Sequence, residues 1–189
     1  MIQTLPGTER GRVLLAIARE SLAQSFGLAS RQPDAADHPE PWLTEPGATF
    51  VTLRRDGLLR GCVGTLHAYR PLADDVRANA RAAAFSDTRF PPLTREEFAA
   101  VDFEVSLLST PEPVSVASEA EAVAVLRPGI DGVILEYRDH RSTFLPQVWE
   151  QLPDPREFLA HLKHKAGLSP TFWHPELRLW RYTVTKWEE

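Results

Sequence analysis

Leu59-Arg60-Gly61-Cys62-Val63-Gly64-Thr65-Leu66 sets a cation, the only cysteine of the chain and two glycines inside what otherwise reads as an apolar β-strand. Glycine weakens a strand, because it loses the most backbone freedom on folding and has no side chain to pack. Two of them here mark a bulge, or a close approach by another backbone or a ligand. Just upstream, Thr49-Phe50-Val51-Thr52-Leu53-Arg54 is a second β-type run. Asp56-Gly57 separates the two, and this two-residue loop accommodates the positive φ angles of a tight hairpin turn. The cysteine strand is thus paired within a hairpin and placed early in a sheet.

The segments around the hairpin alternate between helical and extended periods. From Thr8 to Phe26, Val13, Leu14, Ile17, Ala18, Leu22 and Phe26 fall at the spacing of one helix face, and Gly27 stops the helix. Arg31 to Gly47 carries Pro33, Pro39, Pro41 and Pro46 and reads as a long Pro-rich loop pinned by Trp42. Pro71 opens a helix running to Phe85, with Asp74 and Asp75 in its first turn where the helix dipole favours them. Ser86 to Leu93 is a loop across the proline pair, and Thr94 with Glu97 forms a capping box for a short helix. Val101 to Leu107 alternates strictly, with Asp102, Glu104 and Ser106 on the polar face.

In the second half, Ser118 with Glu121 starts a capped helix, and Gly132–Arg138 and Arg141–Leu145 read as a second hairpin turning at Asp139-His140. Pro146 to Gln151 is a short helix. Asp154 and Pro155 start another through Ala166, with Gly167 as its stop. Leu179 to Trp187 alternates and predicts one C-terminal strand. Hairpins mixed with helices, without a regular βαβ alternation, place the chain in the α+β class, with mainly antiparallel sheets and flanking helices.

A chain of 189 residues is long enough for one sizeable core, or a core with a smaller satellite. Net charge is −5, so no global pull toward nucleic acid or an anionic membrane is expected. No apolar run approaches the roughly 20 residues that span a bilayer, and Met1 to Pro6 lacks a signal-peptide pattern, so a cytoplasmic protein is expected. A single cysteine forbids an intramolecular disulfide and a multi-cysteine zinc site.

Cys62 is the first candidate for chemistry. Thiolate chemistry needs cations, a helix N-terminus or open amides nearby, and the flanking glycines would leave amides accessible; the plain alternative is a small core hydrophobe. Two residues apart on a strand, Arg60 and Cys62 are expected on one face. Asp87 and Arg89 form a charged pair in a rigid loop. It reads either as a surface ion pair or Asx turn, or as an arginine anchoring an anionic ligand. Glu104 is a general base or simply a solvated residue, and Lys165 sits at a helix C-terminus, where a cation suits the dipole. His161 and His164 have i, i+3 spacing, which is compatible with a metal but also common on solvated surfaces, so no metal site is assigned. No Walker loop, Gly-x-Ser-x-Gly elbow or dinucleotide fingerprint is present, and no cofactor is named by any motif.

Several stretches together are familiar: Leu59 to Leu66, Ala84-Phe85-Ser86-Asp87-Thr88-Arg89-Phe90-Pro91-Pro92-Leu93, Gly129-Ile130-Asp131-Gly132, and Ser142 to Trp149 with Lys165-Ala166-Gly167-Leu168. In order and combination the chain resembles the AMMECR domain family, whose microbial members are called AmmeMemoRadiSam system protein A. The resemblance covers nearly the whole chain. It implies a single α+β AMMECR domain over 1–189 with two unequal subdomains, the larger built from both chain ends and the smaller from part of the middle. The Arg-Gly-Cys-x-Gly motif would lie near a cleft between them. The family's motif falls on Arg60, Gly61, Cys62 and Gly64, with Asp87, Arg89 and Lys165 in its other recurring segments. The Pro-rich stretch from Arg31 to Pro46 departs from the family pattern.

The family's name implies association with Memo-like and radical SAM proteins, in a shared pathway acting on a small molecule, a modified nucleotide or an RNA. No settled activity comes with it. The expectation is an enzyme or enzyme component that binds a small polar or anionic ligand, with Cys62 as nucleophile or ligand contact, Arg60 and Arg89 orienting the ligand, and amides at Gly61 and Gly64 stabilising an oxyanion. An interaction module for the same partners is one alternative. RNA or nucleotide binding is a second, which the net charge disfavours although tryptophans offer stacking surfaces.

Overall fold

Asp56 and Gly57 take φ angles of 52° and 75°, and the chain reverses on them from β1 (Thr49–Arg55) into β2 (Leu58–Gly64), as the Asp-Gly signal predicts. The structure is a computed structural model that describes residues 9–28 and 40–189. Over these residues the chain divides into two units, one containing 9–28, 40–108 and 185–189, the other 109–184. The protein is α+β, with two antiparallel sheets and flanking helices.

In the first unit β1 pairs with β2 on one side and with β3 (Val101–Leu108) on the other, and β8 (Val184–Glu188) completes the order β2-β1-β3-β8. Helices α1 (Glu9–Ser25) and α3 (Leu72–Phe85) cover the face that carries Val51, Leu53, Phe103 and Val105. The periodic residues of α1 do what their spacing requires: Leu14, Ile17, Ala18 and Leu22 are buried there with Val76, Ala80 and Ala83 of α3. Each fully buried aliphatic or aromatic side chain contributes about 1.5–3 kcal/mol of transfer free energy. The Thr94–Glu97 capping box forms and starts α4 (Arg95–Phe98), whose Phe98 packs on Phe26 and Phe103.

Pro41–Thr44 is one turn of helix, α2, where the prolines predicted a loop; Pro41 at its first position needs no amide donor, so the breaker becomes a starter. Residues 31–39 of the Pro-rich stretch lie outside the described residues. Trp42 receives the Arg10 guanidinium 4.6 Å above its ring.

The second unit holds a sheet of order β4-β7-β5-β6, made of β4 (Glu112–Val114), β5 (Gly132–Tyr137), β6 (His140–Phe144) and β7 (Arg178–Tyr182). Its helices are α5 (Glu119–Val125), a 3-10 turn at Pro146–Glu150 and α6 (Pro155–Lys165), which Asp154 caps through the amides of Arg156 and Glu157. Trp149 stacks on Phe158 at 3.7 Å and donates its indole N–H to the Asp131 carbonyl at 2.7 Å. The Asp131 carboxylate in turn accepts from the Arg127 amide and guanidinium, so Gly129 to Gly132 is a folded corner held from both sides.

Three extended features differ from expectation. The second hairpin turns at Arg138-Asp139, since Tyr137 faces His140 in the ladder and Arg138 takes the positive φ. β4 has only three residues around Pro113, too short for a periodicity. The C-terminal run is two strands in two different sheets. Thr183, between the two strands, spends its N–H on Ser109 Oγ and its C=O on the Ser109 N–H, both at 2.9 Å. Alternation continues through the break, but period two carries no information about which strand lies alongside. No described helix is long and apolar enough to cross a membrane.

Candidate functional site

Among the described residues β2 is an edge strand. The Thr65 amide donates to the Thr49 carbonyl at 2.8 Å, so by alternation Val63 turns its main chain toward β1 and Cys62 turns its own outward. That outward amide donates to Asp87 Oδ2 at 2.9 Å, and the Cys62 carbonyl accepts from Arg89 Nη2 at 3.3 Å. The two side chains are locked to each other, with Arg89 Nε on Asp87 Oδ1 at 2.9 Å and Nη2 on Oδ2 at 2.7 Å. Sequence order explains the reach: α3 ends at Phe85, Leu93 returns its amide to the Ala84 carbonyl, and the loop between them lies alongside β2. Arg89, helped by the Cys62 amide, holds the Asp87 carboxyl well below the usual carboxylate range. Asp87 Oδ1 also accepts from the Arg89 amide at 3.1 Å, closing the loop as an Asx turn, and the pair clamps the main chain of the cysteine.

Cys62 is half-buried, and its Sγ accepts a hydrogen bond from Thr52 Oγ1, its cross-strand partner, at 3.3 Å. Thr52 also faces Glu104 on β3, so a thiol, a hydroxyl and a carboxylate stand in one row, on the side of the sheet opposite Val51 and Leu53. Glu104 is not a solvated residue as its polar-face position suggested. It is 8% exposed and held by Lys186 Nζ at 2.6 Å and Arg54 Nε at 3.4 Å. Among the described residues, no group of three potential ligands forms a metal site. Thr52 was not singled out from sequence; its signal is a lone hydroxyl between Val51 and Leu53 in an apolar run.

Arg60 has no cross-strand partner in the ladder. The register steps from Leu53↔Gly61 to Arg54↔Leu59, leaving Arg60 as the extra residue of a bulge and breaking the i, i+2 relation on which the expectation rested. Its guanidinium makes a two-pronged bond to Glu97, Nε to Oε1 at 3.0 Å and Nη2 to Oε2 at 2.9 Å. Arg55 donates to the same carboxylate at 3.1 Å. Arg60, with the Thr94 amide, lowers the Glu97 carboxyl from an ordinary 4.5 to about 2. Arg60→Ala is therefore expected to cost about 2 kcal/mol in urea unfolding at neutral pH. Because the folded-state value is depressed, that difference is fully present above pH 4.5 and shrinks as pH falls toward 2, where Glu97 takes up its proton in both proteins. A pH-independent difference would mean that Arg60 acts through packing alone.

The glycines answer to packing as well. A Cβ on Gly61 would lie 2.2 Å from the Ala83 carbonyl oxygen of α3, and one on Gly64 would lie 2.2 Å from the Phe50 ring. One amide of the stretch, that of Cys62, is already taken by Asp87. Lys165 belongs to the 109–184 unit, where its ammonium donates to the Thr143 carbonyl at 3.0 Å and lies 5.0 Å from the Phe144 ring centre. The structure thus brings together Cys62, Asp87 and Arg89, adds Thr52, and gives Arg60, Gly61 and Gly64 contacts of their own.

Comparison with known proteins agrees with this architecture. Residues 15–187 match the family model described as AMMECR1. A protein of Methanothermobacter thermautotrophicus is 39% identical over 96% of this chain and 95% of its own length. A Saccharolobus solfataricus protein is 38% identical over 87% of this chain and 74% of its own. The crystal structure of an uncharacterized protein from Pyrococcus horikoshii superposes with a TM-score of 0.78 at 32% identity, covering 97% of this chain and 93% of that one.

Proposed function

The chain belongs to the AMMECR1 family, and on that premise we propose that it is a thiol-dependent enzyme, or the ligand-binding component of one, which receives a small polar or anionic molecule at Cys62. The reading rests on one observation: a half-buried sulfur that takes a hydrogen bond from the Thr52 hydroxyl, on a residue whose carbonyl accepts from Arg89 Nη2 at 3.3 Å. A hydroxyl donor and a neighbouring cation are what a nucleophilic or ligand-contacting sulfur needs. Arg89 is 53% exposed, and its Nη1 carries no hydrogen bond among the described residues, so it is the arginine suited to an anionic group on the ligand. Arg60, committed to Glu97, serves the shape of the site rather than the ligand. The pathway is the one the resemblance implies, shared with Memo-like and radical SAM proteins.

Alkylation of the native protein by iodoacetamide, followed by intact mass, tests this. One adduct on Cys62 in native buffer is expected, and Cys62→Ala should remove both the adduct and any small molecule that co-purifies with the protein. Labelling that needs denaturant would overturn the proposal. A second reading, an interaction module for the same two protein classes, is favoured by Leu58 and Tyr69, which are 74% and 67% exposed. It predicts that Cys62→Ala leaves partner capture unchanged.

A further inference from the structure

The clamp on Cys62 has the form of a missing strand. In an antiparallel ladder, a residue with its main chain turned outward gives its N–H to a neighbour's carbonyl and takes an N–H on its own carbonyl. At Cys62 the Asp87 carboxylate supplies that acceptor and the Arg89 guanidinium that donor, at 2.9 and 3.3 Å. Both come from the loop after α3 rather than from a strand. Around this point the edge is otherwise inviting. Leu58 and Leu59 are 74% and 38% exposed, and Arg60, the one charged residue of β2, is turned away onto Glu97. A short apolar edge of low charge is a template for pairing with another chain, and proteins blunt such edges with bulges and charged side chains. β2 carries a bulge at Arg60 and the ion pair two residues later.

We propose that the Asp87–Arg89 pair is a side-chain plug that keeps edge strand β2 from pairing with β2 of a second copy of the chain. The partner is a second copy because two identical edges offer each other the same outward groups and the same exposed leucines in antiparallel register. The plug goes beyond the proposed function and does not depend on any reactivity of the thiol. Asp87, with its side chain 5% exposed and its carboxyl held ionised by Arg89, stays an acceptor across the neutral range.

The test is the double variant Asp87→Ala/Arg89→Ala, followed by sedimentation velocity across the micromolar range and by hydrogen exchange at the Cys62 amide. Exchange at least about tenfold faster than in the parent is expected once the charged acceptor is gone. A concentration-dependent species larger than any the parent forms is expected with it. Adding Leu59→Lys to the double variant should return its sedimentation to that of the parent, because a charge on the exposed edge blocks strand addition. A folded double variant with fast Cys62 exchange and unchanged sedimentation overturns the proposal, and so does self-association that Leu59→Lys fails to reverse. Arg89→Ala alone keeps the Asp87 bond and guards against a misfolded double variant. It should associate to an intermediate degree, and association equal to the parent's counts against the plug.

Discussion

Asp75→Ala is expected to destabilise the protein by about 3–5 kcal/mol, the range for removing one partner of a buried charged network. Asp75 is fully buried at the start of α3. Its Oδ2 accepts from the Thr49 amide at 2.8 Å, the Thr49 hydroxyl at 2.7 Å and Asn79 Nδ2 at 2.9 Å. Its Oδ1 accepts from the Thr65 hydroxyl and from Arg70 Nε, each at 2.8 Å. One carboxylate thus ties the first residue of β1 and the residue just beyond β2 to the helix that covers them. Alanine leaves those donors without their acceptor in places largely closed to water, and the cost is their desolvation as well as the lost bonds. Urea unfolding followed by circular dichroism should show a lower midpoint at an unchanged slope. A loss under about 1 kcal/mol would mean that water replaces the carboxylate, and the site would then be open rather than buried.

Gly61→Ala is the second large effect, expected at about 3 kcal/mol. The obstacle is the Ala83 carbonyl oxygen, 2.2 Å from where the new Cβ must go. A helix backbone cannot turn aside as a side chain can, so β2 and α3 must separate and lose packing along their shared length. Gly64→Ala is the internal control. There the obstacle is the Phe50 ring, which has a rotamer to change, and a cost of about 1–2 kcal/mol is expected. Equal thermal stability of the two variants would show that helix approach is not what requires glycine at 61.

Much of the site was legible because its signals are local. Asp56-Gly57 names its own turn, and Thr94 with Glu97 names its own cap, through bonds that span only a few residues. The two glycines of the cysteine stretch marked a bulge or a close approach, and both are there: a bulge at Arg60 and the Ala83 carbonyl against Gly61. Asp87 and Arg89 were legible as a pair, but their target was not, since Cys62 is 25 and 27 residues away along the chain. The face of Arg60 was not legible, because one extra residue in a strand shifts the alternation on which i, i+2 spacing relies. Asp75 looked like a helix-dipole residue, as its neighbour Asp74 is, exposed and paired with Arg77. Nothing in two adjacent aspartates tells which one the helix turns inward against Thr49 and Thr65.

By itself, then, the amino-acid sequence determined the α+β class, the first hairpin, the positions of the helices other than α2 and the family to which the chain belongs, because periodicity, caps and turn residues act over a few neighbours. Tertiary structure alone decided that the C-terminal run serves two sheets, that Glu104 is buried between Lys186 and Arg54, that Arg60 reaches Glu97, and that an ion pair stands where a strand would lie beside Cys62. Those outcomes depend on which distant groups meet. Pairing of that kind is set by the packing of whole elements and leaves no mark at the spacing of a few residues.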